Sequence, residues 1–172
     1  METNQILNFL PRSRTISMLL FLACVAMMAV ALYMEHQMNL DPCPLCIVQR
    51  IMVIAVGLTA LVAAVHNPGV TGIRIYGGIV VLFSGLGAGT AMRQLWLQSL
   101  PESQIPACGP GLDYLLDVFP LTEVIAMVFA GDGSCAEVSW SLIGISIPGW
   151  ALLGFAGLIV PGILQMVRPD AG

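Results

Sequence analysis

The chain has 172 residues, of which six are Arg, none is Lys and ten are Asp or Glu, for a formal charge of −4. Only 9% of residues are charged and 58% are hydrophobic, with a mean hydropathy of +0.90, against roughly 25% charged in a soluble domain. This excludes a disordered chain, leaves too little polar material to coat a water-soluble globule, and argues against nucleic-acid binding, which wants a basic patch; an integral membrane protein remains.

Thr15 to Met34 is the first apolar run, 20 residues without a charge, long enough to cross about 30 Å of hydrocarbon as a helix. Arg12 and Arg14 before it, with Ala29-Val30-Ala31 inside it, give it a second reading as a cleaved signal peptide. The run continues through Leu32, Tyr33 and Met34, beyond an apolar signal core of roughly 7–15 residues, so a retained span over 15–34 is expected. Further spans are expected over 47–65, which takes in Arg50, over 75–92 and over 147–167. None of these runs alternates with the period of two that membrane barrel strands need. The expected fold is therefore an all-α membrane protein. It is a single membrane domain, residues 1–172, built as an antiparallel four-helix transmembrane bundle with loops at about 35–46 and 93–146.

Cytoplasmic loops collect Lys and Arg. Arg12, Arg14, Arg74 and Arg168 share one side if both termini are cytoplasmic, which puts the loops at about 35–46 and 93–146 on the outer side of a multi-pass membrane protein, expected in a bacterial inner membrane. Arg50 and Arg93, at the outer ends of spans two and three, run against that rule or mark functional positions. In span three, Gly85 with Gly89 and Ser84 with Ala88 form small-xxx-small pairs, which let membrane helices approach closely. Pro161 is expected to kink span four, a defect that membrane helices tolerate.

Five cysteines are present. Cys24, mid-span, reads as a packed thiol, because apolar surroundings disfavour the reactive thiolate. Cys43 and Cys46 belong to the first outer loop, Cys108 and Cys135 to the second, in a compartment where disulfides persist. Cys43-Pro44-Leu45-Cys46 is a C-x-x-C opening span two, and both that motif and a helix N-terminus favour a thiolate. Arg50 follows Cys46 by four residues, one turn along the same helix face. A cation there favours the Cys46 thiolate; alternatively its guanidinium snorkels to the interface.

Two other readings of the four outer cysteines stand beside the redox one: inert structural disulfides and a tetrahedral zinc site. Zinc ribbons use paired C-x-x-C motifs, whereas 26 residues separate Cys108 from Cys135. His36 and His66 are expected on opposite sides of the membrane, and no metal is expected. Four cysteines allow three pairings. The loop between Cys108 and Cys135 carries Gly and Pro at its ends and apolar residues at helical intervals between them, including Leu112, Leu115, Leu116, Val124 and Val128. Pro120 divides it into two short amphipathic helical pieces, suited to lying on the membrane surface or packing on the bundle.

These residues resemble the DsbB family of bacterial thiol:quinone oxidoreductases. Pro42-Cys43-Pro44-Leu45-Cys46-Ile47-Val48-Gln49-Arg50 is similar to that family's P-C-x-L-C-I-x-x-R, and Cys135-Ala136-Glu137-x-x-Trp140 with Gly144, Pro148 and Trp150 to its C-A-E-x-x-W…G…P-x-W. The resemblance covers most of the chain. It implies a four-helix bundle that holds a quinone, ubiquinone in the first instance, near the outer leaflet. It also implies reoxidation of DsbA, a periplasmic thioredoxin-fold thiol oxidase, with electrons passed to the quinone pool dissolved in membrane lipid. On these positions, the partner thiolate attacks Cys108, the released Cys135 attacks Cys43, and Cys46 becomes the thiolate that donates to the quinone beside Arg50. DsbA is itself a strong oxidant, at roughly −120 mV, so a quinone is the acceptor that makes the direction favourable.

Two competing functions differ in where the cysteines sit or in what they do. A vitamin K epoxide reductase-like quinone reductase has its C-x-x-C late in the bundle, not at the start of span two. A non-enzymatic four-span scaffold would carry inert loop disulfides and an incidental Arg50.

Overall fold

The computed structural model describes residues 12–106, 114 and 117–167. Four long helices dominate: α1 (Ser13–Met38), α2 (Pro44–His66), α3 (Val70–Gln98) and α6 (Ile147–Val167). Each is long and apolar enough to cross a membrane. Between α3 and α6 lie a single 3-10 turn (Glu102–Gln104), α4 (Leu121–Ala130), α5 (Gly133–Ala136) and a two-stranded hairpin, β1 (Ser141–Leu142) and β2 (Ile145–Ser146). The protein is a multi-pass membrane helical bundle.

The helices outrun the apolar stretches that announce them. α3 starts at Val70 and ends at Gln98, so it carries Arg93 and Gln94 on its last turns. The stops are chemical. α1 and α2 close on Asn39 and Asn67, both left-handed with φ of 51° and 44°, a conformation Asn tolerates better than most residues. Pro68 then bars continuation of α2. Pro44 sits at the first position of α2, where its missing N–H costs nothing.

Outward faces are apolar: Leu58 is 57% and Leu82 59% exposed, which is affordable where lipid and not water is the solvent. Inside, Ile16, Leu20, Cys24, Val53, Val56, Ala60, Val80, Ala88, Phe155 and Leu158 form the core. Cys24 is buried there, and a Cβ added to Gly57 would lie 3.1 Å from its own Cβ, so Cys24 serves the α1–α2 contact. Along the chain the helices pack α1 on α2, α2 on α3 and α3 on α6.

The small residues of α3 divide differently from the expectation. Ser84 and Ala88 are buried, while Gly85 and Gly89 are exposed and have nothing within 4 Å of an added Cβ. The close approach is made by Gly77 and Gly87 instead. A Cβ on Gly77 would meet the Gly162 carbonyl oxygen at 2.8 Å, and one on Gly87 the Phe155 ring at 2.3 Å. α6 runs as one helix through Pro161.

α1 and α6 are tied at the end remote from Cys43: Gln165 Nε2 donates to Ser17 Oγ at 2.8 Å and to the Ser13 carbonyl at 3.3 Å. Towards the other end they part. The second half of α1 and the first half of α6 there face a cavity of about 500 Å3.

Among the described residues, the hairpin lies outside the helical expectation. Ile143 and Gly144 both have positive φ, 56° and 76°, as a tight two-residue hairpin turn requires. Ser146 Oγ donates to Gln98 Oε1 at 2.8 Å, and Trp150 Nε1 to the Leu142 carbonyl at 3.4 Å. These bonds moor the hairpin to α3 and α6 at the cavity's edge.

Candidate redox site

Cys43 is the N-cap of α2, with extended backbone (φ −69°, ψ 163°). That geometry turns its side chain back over the first turn, where Sγ accepts from the Cys46 backbone N–H at 3.3 Å. The two sulfurs of the C-x-x-C are 2.8 Å apart, the Cys43 thiol donating to Cys46.

Cys135 reaches the same place from the second loop. Gly131 closes α4 at φ 73°, and a Cβ on it would run into Leu97 Cδ1 at 2.5 Å and Leu45 Cδ1 at 3.2 Å. Only glycine allows both that turn and that approach. Asp132 then caps α5, accepting from the Ser134 backbone N–H at 3.1 Å. Cys135, fully buried on α5, packs with Cys43, Leu45, Leu97 and Ala136. A hydrogen bond from the Cys43 thiol lowers the Cys135 thiol to about 7, against the opposing effect of burial. Cys43 itself is pushed upward by that bond first, then by its bond to Cys46 and by burial. In this reduced arrangement the sulfurs of Cys43 and Cys135 lie within hydrogen-bonding reach of each other.

Arg50 lies one turn beyond Cys46 and turns to α1. It forms an ion pair with Glu35, and its Nη2 donates to the Ala31 carbonyl at 3.3 Å. The pair is partly exposed, at 22% and 29% of the two side chains, so it orients the guanidinium more than it stabilises the fold.

The cavity begins at these groups. Cys43, Cys46, Arg50, Gln49 and Gln94 line it, with apolar walls from Met27, Met28, Met34, Val53, Ala151 and Phe155. An apolar chamber with a few polar groups converging at one end is the usual form of a small-molecule site. Its size and walls suit a flat, lipid-soluble ring, and Arg50 and Gln94 are hydrogen-bond donors at the end nearest the sulfurs.

Of the five residues singled out from the sequence, the structure brings four together: Cys43, Cys46 and Cys135 as one sulfur cluster, with Arg50 at the cavity lip. Cys108 lies outside the described residues. Arg93 stands apart from the sulfurs. Its Nη2 donates to the Ala130 carbonyl at 3.0 Å and its guanidinium lies 4.3 Å from the Trp96 ring centroid, holding the end of α4 to α3.

Three site residues escaped the sequence reading. Gln94 fell beyond the expected end of span three. Gln49 was quoted in the motif and given no role. Glu35, in the expected loop at 35–46, has no sequence signal of its own. The available signals were spacing for Gln49, three residues after Cys46 and so on the same helix face, and, for Gln94, an amide inside an apolar helix.

The family model described as "Disulfide bond formation protein DsbB" matches residues 13–165. The chain is 48% identical over 159 residues to disulfide bond formation protein B of Saccharophagus degradans, covering 92% of this chain and 96% of that one. It is 50% identical over 157 residues to the protein of the same name from Stutzerimonas stutzeri, covering 91% and 96%. With disulfide bond formation protein B 1 of Pseudomonas aeruginosa it shares 49% over 155 residues, covering 90% and 95%. On the match of the family model and of these relatives along nearly its whole length, the chain belongs to the DsbB family of disulfide bond formation proteins.

Proposed function

We propose that this protein, one membrane domain of a bacterial inner membrane with both termini cytoplasmic, reoxidises a periplasmic DsbA-like thiol oxidase and passes the electrons to a membrane quinone, ubiquinone in the first instance. The observation that carries the reading is the meeting of three sulfurs with an apolar cavity: Cys46 belongs both to the sulfur cluster and to the cavity wall.

The exchange starts from two disulfides, Cys43–Cys46 and Cys108–Cys135. A thiolate of the partner attacks Cys108, forms a mixed disulfide there, and releases Cys135 as a thiolate. Cys135 attacks Cys43; the Cys43–Cys135 bond forms, the Cys43–Cys46 bond breaks, and the electron pair leaves on Cys46. The second partner thiol then resolves the mixed disulfide, so the partner leaves oxidised. A bound quinone supplies an acceptor for two electrons and two protons. Arg50 and Gln94 are the residues that would orient it, and the α1 and α6 walls keep water from the reacting end.

The reading is tested by mixing the purified protein with a reduced thioredoxin-fold oxidase and ubiquinone, and following quinone reduction together with partner thiols. One quinone reduced per partner disulfide is expected, with no turnover in Cys46→Ser. Wild-type turnover in that variant removes the donor role. A partner whose second thiol is replaced by serine should be trapped on Cys108, because nothing on it then resolves the mixed disulfide; its absence from non-reducing gels reassigns the second loop.

A further inference from the structure

Gln49 and Gln94 face each other beside the sulfur cluster, 6% and 3% exposed. A buried amide must find hydrogen-bond partners, and this pair finds them in one particular order. Gln49 Nε2 donates to Gln94 Oε1 at 2.9 Å. With that oxygen held, Gln94 Nε2 lies 3.3 Å from Cys43 Sγ and 3.4 Å from Cys46 Sγ. The held oxygen is still 3.6 Å from Cys46 Sγ and accepts from it while it is a thiol.

We propose that Gln94 is a further catalytic residue, a neutral donor that receives the charge arriving on Cys46, and that Gln49 is the positioning residue that decides which end of the Gln94 amide the sulfurs meet. The proposal rests on the reading above, in which Cys46 is the leaving sulfur. When Cys135 attacks Cys43, the negative charge that Cys135 brings ends on Cys46, and no proton moves in that step. A donor must therefore already point at Cys46 before the charge arrives. Arg50 is one cation at hand, and its guanidinium is also engaged by Glu35 and Ala31. Gln94 donates to both ends of the breaking bond and does not titrate. The same amide reversed would aim its oxygen lone pairs at a thiolate. The two ends of an amide are nearly equal in size and shape, so packing does not select between them. The N–H of Gln49 does.

The test uses the full-length protein, fully reduced in detergent micelles, with iodoacetamide as the probe and peptide mapping to read alkylation at Cys46. At neutral pH, Gln94→Met should slow Cys46 alkylation about tenfold, the effect of one hydrogen bond to a charged atom. Gln49→Met should slow it about threefold, because the amide then turns freely. Added to Gln94→Met, Gln49→Met should slow it no further, since it acts only through Gln94. At strongly alkaline pH, where the thiol ionises in every variant, all rates should converge. Additive losses, rates that stay apart at alkaline pH, or unchanged rates in both single variants overturn the proposal. If a methionine variant does not fold, Gln49→Glu serves in its place: its carboxylate accepts from Gln94 Nε2 and draws it off the sulfurs, and a wild-type rate there overturns the proposal equally. Neither quinone nor partner is present, so failure here leaves the proposed quinone reaction standing, and failure of quinone turnover leaves this result standing.

Discussion

α6 meets two neighbours in opposite ways. Against α3 it closes until backbone touches backbone, with Gly77 over the Gly162 carbonyl and Phe155 seated on Gly87. Against α1 it is hydrogen-bonded at the end where Gln165 reaches Ser13 and Ser17, and further along the two helices line a cavity, with the flexible Met27 side chain of α1 reaching Gly154. In lipid, apolar surface alone does not draw helices together, because hydrocarbon solvates it as well as another helix does. Close van der Waals fit must do so, and glycine supplies it on one side of α6. On the other side Met27, Met28 and Met34 project from α1, long flexible side chains that line a space without filling it. The bundle thus has a rigid seam and an adjustable gap, and the sulfur chemistry lies at the gap.

Five substitutions press on this contrast. Gly87→Leu, which drives a branched side chain into the buried Phe155 ring, should leave no folded protein after detergent extraction; a monodisperse, helical variant would show that the seam is not rigid. Ala151→Phe fills the cavity from α6. It should fold normally yet lose roughly 100-fold in quinone-dependent turnover, the order expected when reacting groups are displaced. Full turnover would mean that the gap is not where the acceptor sits. Arg50→Lys keeps the charge and loses the planar fork. The apparent quinone KM should rise about tenfold, equivalent to ~1.4 kcal/mol, with kcat little changed, and an unaltered KM would leave Arg50 as an anchor only. The smallest effect is expected from Gly154→Ala. Its Cβ would meet Met27 Cε at 2.6 Å, the far end of a side chain that can swing aside, so unfolding should shift by less than ~0.5 kcal/mol. Gly87→Ala, against a ring that cannot move, should cost about 1–3 kcal/mol. Equal costs would erase the distinction between seam and gap.

The sequence made the bundle legible because a membrane span is written in length and apolarity, both local properties. It also made Cys43, Cys46 and Arg50 legible, since one helix turn fixes their spacing. The packing of α3 was misread: Gly85 and Gly89 carry the small-residue spacing, but the pattern does not say which face meets a partner, and the contact falls on Gly77 and Gly87. Gln94 was hidden for a different reason. Its importance depends on α3 continuing past Met92 and on α2 lying beside it, and neither follows from hydropathy. Glu35 likewise means little until α1 and α2 are seen to bring it to Arg50. The hairpin is hidden because Ile143 is an unusual residue for a left-handed turn position. The inert-scaffold alternative, which spacing alone leaves open, has no use for a cysteine cluster that shares a wall with a cavity.

The clamp of Arg93 on Ala130 has a kinetic meaning. Ala130 precedes Cys135 by five residues, so fastening the end of α4 shortens the leash on which that sulfur moves. A group tethered close to its target reacts as though supplied at a local concentration no free thiol in solution attains. In the proposed reaction, sulfur exchange within this molecule then outruns interception by stray small-molecule reductants, and electrons taken from a partner would be committed to travel inward.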